Sequence, residues 1–271
     1  MHTHLADRPV RTLARMWVAL AAFLFLAGAA PGADPPTLDE ILNHAARHAD
    51  LFVQQFSDVK CTERVQQAKL GRNGKEEFKA ESVFDFLLIL QAQGGEILLE
   101  ESRLATVEGR PRNVPLMVTN GFSTLLLVFH PVYQSTFEFA RLEDDRPEDA
   151  SQVRIRFRHI RGTRSPAVLL LRGREFPLDL EGVAWLDAQT GAVTKMDVTL
   201  AAAMDDIGLR SFRGEVDYSP VSFSTAARTF WLPATATIDV ETPRQHWRNV
   251  HRFTDYKLFS VSATMKVGEK P

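Results

Sequence analysis

Cysteine is almost absent from this chain, because Cys61 is the only one among 271 residues. A single cysteine leaves no partner for an intramolecular disulfide, although an exported protein can form such bonds. Cys61 shares the parity of Val59 and Val65 in a strand-like segment, and no nearby histidine or helix N-terminus is evident that would lower the pKa of its thiol. We therefore predict a buried, unreactive thiol rather than a catalytic nucleophile.

Catalytic signatures are also lacking. The chain contains no G-x-S-x-G, Walker or Rossmann glycine pattern. His44 and His48 are one helical turn apart, but the residues between them lack the glutamate of HExxH, so we expect a solvated helix flank. His246 and His251 are five residues apart on a predicted strand and therefore face opposite sides. No acid–base pair or nucleophile can be assembled, which predicts a protein that is not an enzyme and has no metal or cofactor.

The clearest long apolar run is short for a membrane span. Residues 17–30 carry no charge, follow Arg8, Arg11 and Arg15, and precede the small residues that end at Ala33. Fourteen residues fall short of the roughly 20 that cross a bilayer as a helix. The order of basic, apolar and small residues is typical of a secretory signal. We predict a signal peptide over residues 1–33, cleavage near Ala33, a periplasmic location and no transmembrane segment in the mature chain.

An excess of positive charge is missing as well. The chain has 32 basic and 34 acidic residues, and without residues 1–33 it has 29 and 33, a net charge of −4. Nucleic-acid binding needs a concentrated basic surface, so nucleic acid is not an expected partner. No low-complexity tract or linker divides the remainder, and residues 34–271 are predicted to form a single domain.

The mature chain opens with an amphipathic helix. Thr37 can cap this helix, and Asp39 and Glu40 occupy its first turn. Apolar side chains then recur at steps of three and four residues, at Leu38, Ile41, Leu42, Ala45, Ala49, Phe52, Val53 and Phe56. This stripe is expected to lie against a sheet.

Strand patterns follow, with turn signals between them. Asn73-Gly74 lies between predicted strands 59–70 and 76–91, and Asp187 and Gly191 belong to a second predicted hairpin turn. A short buried helix is expected near residues 118–129, where Pro131 ends the run. The other predicted strands are 96–107, 133–142, 152–161, 167–172, 181–187, 192–200, 211–223, 230–242 and 246–260. Eleven strands with short connections predict a mainly β fold with one large curved antiparallel sheet.

Several of these segments resemble a known superfamily. The hairpin WLDAQTGAV (185–193), the segment VDYSPV (216–221) and FWLPATATI (230–238) look like the C-terminal half of the LolA/LolB/RseB-type lipoprotein-carrier proteins. The first half, with CTERVQQ (61–67), ESVFDFLLIL (81–90) and VEGRP (107–111), resembles exported bacterial proteins of unknown function. The resemblance implies a half-open β barrel with a helical plug, and an apolar cavity that binds acyl chains or lipoproteins.

The resemblance and the one-sided apolar strands together suggest a periplasmic carrier or sensor of an acyl chain or lipidated protein. The candidate cavity-lining residues are Phe84, Phe86, Leu88, Phe137, Phe139, Trp185, Met196 and Trp231. Strand parity does not distinguish a cavity from a packed core. A filled core would favour the alternative, a cell-envelope interaction domain without a small ligand, and a cavity of several hundred Å³ would favour the carrier.

Charged residues on two strands are further candidates. Arg154, Arg156 and Arg158 alternate with apolar residues, which predicts either a site for an anionic surface or an exposed face paired with carboxylates such as Glu138. Glu63 lies on an otherwise apolar strand face and needs a partner if it is buried. Arg103 is the candidate partner, and the alternative is an acid that contacts a ligand at a cavity mouth.

Overall fold

The structure is a computed structural model, and it describes residues 35–56, 59–105, 121–143, 151–171, 174–224 and 229–258. The predicted signal peptide and its cleavage near Ala33 lie outside these residues. From Pro36 onward, the described residues belong to one compact unit. Within the described ranges, no helix combines the length and apolar character that a membrane crossing requires.

Helix α1 (Leu38–Phe56) begins with a capping box, as its sequence predicts. The backbone N–H of Thr37 donates to Glu40 Oε2 at 2.8 Å, and the backbone N–H of Glu40 donates to Thr37 Oγ1 at 3.3 Å. The apolar stripe of α1 is buried from Ile41 to Phe56. The amphipathic pattern therefore identified both the start of this helix and the face that it buries.

The described ranges contain twelve strands in two sheets, one more than the sequence predicts. Ten of them form one open antiparallel sheet in the order β3-β2-β1-β12-β11-β10-β9-β8-β5-β4, and β6 pairs with β7 separately. The strands are β1 (Val59–Leu70), β2 (Glu76–Gln93), β3 (Glu96–Ala105), β4 (Phe137–Leu142), β5 (Gln152–His159), β6 (Val168–Leu171), β7 (Arg174–Pro177), β8 (Leu180–Asp187), β9 (Val193–Leu200), β10 (Ser211–Ser222), β11 (Thr229–Glu241) and β12 (His246–Leu258).

One face of the large sheet, the inner face, is apolar and covered by helices. Helix α1 contacts β2 and β11, and a 3₁₀ helix (Phe122–Phe129) contacts β9, β10 and β11. The two ends of the sheet approach each other at one side, where Arg164 Nη1 donates to the carbonyl of Gly95 at 2.5 Å. The predicted mainly β fold, a half-open curved sheet with an N-terminal helix and a short second helix, is confirmed.

Two turns form as their residues predict. Gly74 has φ +74° in the β1–β2 hairpin, and Asn73 Oδ1 accepts from the backbone N–H of Lys75 at 3.0 Å. Asp187 Oδ1 accepts from the backbone N–H of Thr190 at 2.7 Å, and Gly191 follows with φ +73°. Both glycines adopt the left-handed conformation that these turns require.

The segment around Pro131 differs from the prediction. The short buried helix is present as the 3₁₀ helix, but a second helix, α2 (Pro131–Gln134), starts at Pro131 and replaces the first residues of the predicted strand 133–142. Proline suits the first position of a helix because its missing N–H is not needed there. Strand β7 was also missed, because its four residues are too few to show an alternation.

Candidate functional site

The predicted cavity-lining residues lie on different parts of the sheet. Phe86, Leu88, Phe137 and Met196 are buried in one apolar cluster beneath α1 and the 3₁₀ helix. Phe84 lies directly opposite the buried Glu63 on the same face, and it is half-buried. Phe139 and Trp231 are half-buried and pack against the cluster. Their role as ligand contacts stays a prediction.

Trp185 does not belong to that set, and its predicted place on the inner face was wrong. Its neighbours Ala184 and Leu186 are both buried against the core, so alternation along β8 directs Trp185 to the opposite, outer face. There its ring lies 5.6 Å from Lys195 Nζ, in a cation–π contact. Alternation alone could not tell which parity of β8 faces the core.

The described part of the inner face is packed rather than hollow. Phe52, Phe56 and Phe129 are fully buried where the helices meet the sheet, and the ring centroids of Phe52 and Phe56 are 5.0 Å apart. A void near the centre, which we call the central void, measures about 10 Å³ and is lined by Glu101, Arg103, Phe122, Ser123, Ala236, His251 and Phe253. An acyl chain needs several hundred Å³, so this void cannot hold one.

Beside the central void lies a buried group of charged residues. Glu63 is 0% exposed and accepts from Arg103 Nε at 2.5 Å and Nη2 at 3.1 Å. His251 Nδ1 lies 2.8 Å from the other side of the same carboxylate, at Oε1. Arg103 Nη1 also donates to Glu101 Oε2 at 2.8 Å. The predicted Glu63–Arg103 ion pair is therefore confirmed, and its carboxylate is fully buried.

This buried cluster, made of Glu63, Glu101, Arg103 and His251, joins three strands to the 3₁₀ helix. The backbone N–H of Gly121 donates to Glu101 Oε1 at 2.6 Å, directly before the helix begins. Phe86 lies under the guanidinium of Arg103, 5.0 Å from the ring centroid. The cluster thus connects β1, β3 and β12 to the segment that covers them.

The pKa values of the two carboxylates of the cluster shift in opposite directions. Burial acts to raise the pKa of Glu63, but the hydrogen bonds with His251 and Arg103 outweigh it and hold that pKa below its usual value. For Glu101, burial dominates over the attraction of Arg103 and raises the pKa. Glu63 is therefore the more strongly ionised member of the pair, and Glu101 is the one that accepts a proton more readily.

The remaining single-residue predictions have mixed outcomes. Cys61 is buried, and burial raises the pKa of its thiol to about 12, which confirms an unreactive thiol. The expectation of a solvated helix flank at His44 and His48 was wrong. Both side chains are half-buried, and His44 Nδ1 lies 3.3 Å from the carbonyl oxygen of Ala188. Within the described ranges, no group of three or more His, Cys, Asp or Glu residues is arranged to hold a metal ion.

On the outer face, Arg154, Arg156 and Arg158 project from β5 between β4 and β8. Arg158 lies opposite Glu138 on β4 and Glu181 on β8, and its Nε is 3.5 Å from Glu181 Oε2. The predicted pairing with carboxylates therefore holds for Arg158. Arg154 is half-buried opposite Leu142 and Trp185.

Arg156 has different neighbours. It lies opposite Ala140 on β4 and Val183 on β8, and it is exposed. Across the portion of the chain that the structure describes, no carboxylate forms an ion pair with Arg156. Its guanidinium is therefore available to a ligand.

A groove of about 590 Å³ runs over these strands. We call it the arginine groove, and it is lined by Glu138, Phe139, Ala140, Arg156, Phe157, Arg158, Glu181, Gly182, Val183 and Thr199. The groove holds two of the three arginines that the sequence singled out. Its volume lies in the range of pockets that hold small ligands.

Sequence reasoning missed His251 and Glu101 as members of the buried cluster around Glu63 and Arg103. The sequence did contain a signal for Glu101. On β3, Glu101 and Arg103 alternate with exposed residues, so both point to the same face of the sheet. His251 needs the pairing of β1 with β12, which joins residues 188 positions apart, and no local pattern contains that information.

Comparison with known proteins gives similarities of fold. No protein-family model matches the chain, and no curated protein matches it. A DUF1329 family protein from Desulfovibrio piger is similar over 83% of this chain and 93% of its own, with 10% identity and a TM-score of 0.41. A domain described as an outer membrane lipoprotein-sorting protein, from Vibrio parahaemolyticus, covers 80% of this chain and 91% of its own, with 10% identity and a TM-score of 0.39. Neither similarity bears on the ligand of this chain.

Proposed function

We propose that this chain is a cell-envelope binding protein that holds a carboxylate of an acidic partner segment in the arginine groove. The observation that carries the proposal is Arg156, an exposed arginine that lies in a groove between two uncharged neighbours, Ala140 and Val183. A guanidinium binds a carboxylate with two parallel hydrogen bonds, and such charge-assisted bonds are stronger than neutral ones.

The contrast with Arg158 supports Arg156 as the contact residue. Arg158 already has Glu181 beside it and Glu138 opposite, so a ligand carboxylate would have to compete with two resident ones. Arg156 has no such competitor among the described residues. A ligand that enters the groove therefore gains most from Arg156.

The rim of the groove favours a protein segment over a membrane surface. Glu138 and Glu181 line the groove beside the arginines, and both carry a charge that a flat anionic bilayer would repel. One carboxylate on a narrow, flexible segment can reach Arg156 while its neighbours avoid the glutamates. The described inner face is filled by buried apolar side chains, which also favours docking over carriage.

Binding of a fluorescent acidic peptide tests the proposal. We expect a labelled glutamate-rich octapeptide to bind the mature protein. Arg156→Gln should raise the Kd at least about tenfold, because one charge-assisted contact is worth about 1.5–3 kcal/mol and about 1.4 kcal/mol is a factor of ten. Arg248→Gln is the matched control, since Arg248 is exposed on the outer face of β12 and bonded to Asp239 at 2.9 Å. This control removes the same charge from a distant strand and should leave Kd unchanged.

Three results would overturn the proposal. One is that the peptide does not bind. Another is that Arg156→Gln and Arg248→Gln weaken binding equally, which would indicate a response to net charge alone. The third is that vesicles with anionic lipids sediment the protein in an Arg156-dependent manner while the peptide fails to bind, which would assign the groove to a membrane surface.

A second candidate is the carriage or sensing of an acyl chain or lipidated protein on the inner face. It is favoured by the character of that face, an extensive apolar surface covered by two helices rather than by a second sheet. A chain of that size requires the 3₁₀ helix to leave the inner face, because the central void holds only about 10 Å³. Native mass spectrometry of protein purified from the periplasm tests it. The absence of bound lipid, together with no mass shift on adding a fatty acid or lipopeptide, would exclude carriage.

A further inference from the structure

Strand β4 is one edge of the large sheet, and the arginine groove extends to it. β4 pairs with β5 on one side, and no described strand pairs with it on the other. Glu138, Phe139 and Ala140 of β4 line the groove, and Arg156 lies on β5, the next strand inward. A segment along the outer side of β4 would therefore run beside the groove.

The hydrogen-bond register shows which main-chain groups of β4 point outward. The backbone N–H of Ile160 donates to the carbonyl of Thr136 at 2.9 Å, directly before β4 begins. Hydrogen-bonded pairs alternate along an antiparallel ladder, so Ala140 directs its N–H and C=O toward β5, while Phe139 and Arg141 direct theirs away from it. Among the described residues, no hydrogen bond reaches these outward groups of Phe139 and Arg141, which we call the free edge of β4.

The two edges of the large sheet differ in charge. At the opposite edge, β3 carries the exposed residues Glu96 and Glu100, whose carboxylates repel an acidic segment. Beside β4, the exposed residues Arg156 and Arg158 project from β5. Complementary charge therefore directs an acidic segment to β4 rather than to β3.

We propose that the acidic segment binds as an antiparallel strand along the free edge of β4, an inference that rests on the proposed function and specifies how the segment lies. One glutamate of the segment lies opposite Ala140, and an uncharged residue lies opposite Glu138. When an extended peptide adds a strand to an exposed sheet edge, main-chain hydrogen bonds supply affinity and side chains supply specificity. Antiparallel pairing continues the arrangement of β4, β5 and β8 and is slightly more stable per residue than parallel pairing.

The side chains of the groove suit this arrangement. Neighbouring strands are about 4.7–4.9 Å apart, so the added strand lies about 10 Å from β5. The single methyl group of Ala140 leaves space above it, where the long side chains of Arg156 and the glutamate extend toward each other. The free edge bonds the residues on either side of that glutamate. The main chain therefore fixes the register in which the carboxylate reaches the guanidinium.

Two isomeric methylated peptides test for the added strand. The parent probe is a fluorescent octapeptide of threonines with glutamates at the third and fifth positions, because threonine favours strands. With the fifth residue opposite Ala140, the amides of the fourth and sixth residues face β4, and those of the fifth and seventh face away. N-methylation of the fourth and sixth residues should raise the Kd at least about tenfold, because two donors to the free edge are lost. N-methylation of the fifth and seventh residues keeps the same charge and mass and should leave the Kd nearly unchanged.

The outcomes separate this inference from the proposed function. Equal effects of the two methylated peptides would overturn the added strand. Failure of the threonine peptide to bind, where a glutamate-rich peptide does bind, would overturn it as well. In both cases, weaker binding to Arg156→Gln would still support the proposed function. If neither peptide binds, the proposed function fails and the added strand fails with it.

A pair of variants at Arg141 tests the free edge from the side of the protein. Arg141→Pro removes an outward N–H at a position where an edge strand tolerates proline. Arg141→Gln keeps that N–H, and both variants lose the guanidinium that donates to the carbonyl of Pro36 at 3.0 Å. Arg141→Pro should bind the unmethylated peptide several-fold more weakly than Arg141→Gln, and equal Kd values in the two folded variants would overturn the inference. If Arg141→Pro does not fold, the two methylated peptides decide the question with the unaltered protein.

Discussion

Arginine meets carboxylates on both faces of the sheet, but in different surroundings. On the inner face, Arg103 is enclosed with Glu63 and Glu101, and both carboxylates are almost completely removed from water. On the outer face, the side chains of Arg158 and Glu181 are 61% and 41% exposed, and their closest atoms are 3.5 Å apart. The same chemical pairing is thus structural on one side and exchangeable on the other.

The difference follows from the cost of leaving one partner behind. Removing one member of a buried pair leaves a charge that water cannot reach, whereas an exposed charge is simply solvated. The inner pair therefore holds β1, β3 and β12 in position, while the outer arginines can exchange a resident carboxylate for a ligand at little cost. The buried cluster therefore contributes to stability, and the binding that we propose belongs to the exposed arginine groove.

The largest expected effect comes from breaking the inner pair. Arg103→Leu should lower the free energy of unfolding by about 3–5 kcal/mol, because Glu63 and Glu101 then lack their cation in a buried site. Arg158→Gln on the outer face should lower it by under about 1 kcal/mol. Urea denaturation of both variants at pH 7 measures the difference. Equal, small losses would mean that burial does not separate the two faces.

Two glycines extend the comparison of packed and open surroundings to the backbone. Gly191 and Gly208 have similar positive φ, +73° and +75°. A Cβ at Gly191 would lie 2.2 Å from the carbonyl carbon of His44 on α1, whereas a Cβ at Gly208 meets nothing within 4 Å. Gly208→Ala therefore carries only the cost of the left-handed conformation, about 1–2 kcal/mol.

Gly191→Ala adds a clash with the backbone of α1 to that conformational cost. We expect a total loss of about 3 kcal/mol, since overpacking costs a further 1–3 kcal/mol. Thermal denaturation of the two alanine variants compares them directly, and similar melting temperatures would show that the turn and α1 separate without cost.

The sequence was informative about elements and less so about contacts between them. The alternation of β1 and the Asn73-Gly74 turn located the first hairpin, because both signals are local. Glu63 stood out because it is charged on an apolar face, and its partner Arg103 could be proposed from one neighbouring hairpin. Local patterns carry this kind of information well.

Contacts that depend on the closing of the sheet could not be predicted in the same way. His251 reaches Glu63 only because the last strand pairs with the first, and Ser123 reaches the central void only through the path of the 3₁₀ helix. Strand parity also carries no information on volume, so it could not show that Phe86, Leu88 and Met196 are buried in one apolar cluster.

The smallest expected effect near neutral pH is a change in how stability depends on pH, and it compares two histidines on opposite sides of the protein. His48 on α1 is half-buried, its Nδ1 is buried without a hydrogen-bond partner among the described residues, and burial lowers its pKa to about 4. His246 lies on the outer side of β12, with its Nε2 3.4 Å from Asp239 Oδ1. The interior histidine therefore resists protonation in the folded state, and replacing it should change how stability depends on pH.

Because the pKa of His48 is lower in the folded state than its ordinary value of 6.5, the unfolded state binds the proton more tightly. The stability that His48 contributes is complete above about pH 6.5 and is lost as the pH falls toward 4, with a loss of about 2 kcal/mol by pH 5. His48→Leu should remove that part of the loss, so the variant gains stability relative to the wild type as the pH falls from 7.5 to 5. His246→Gln should follow the wild-type curve, since it leaves the interior histidine in place. Urea denaturation at a series of pH values compares the three proteins. A His48→Leu curve parallel to the wild type would place the acid sensitivity elsewhere, in groups such as His130, whose pKa burial also lowers.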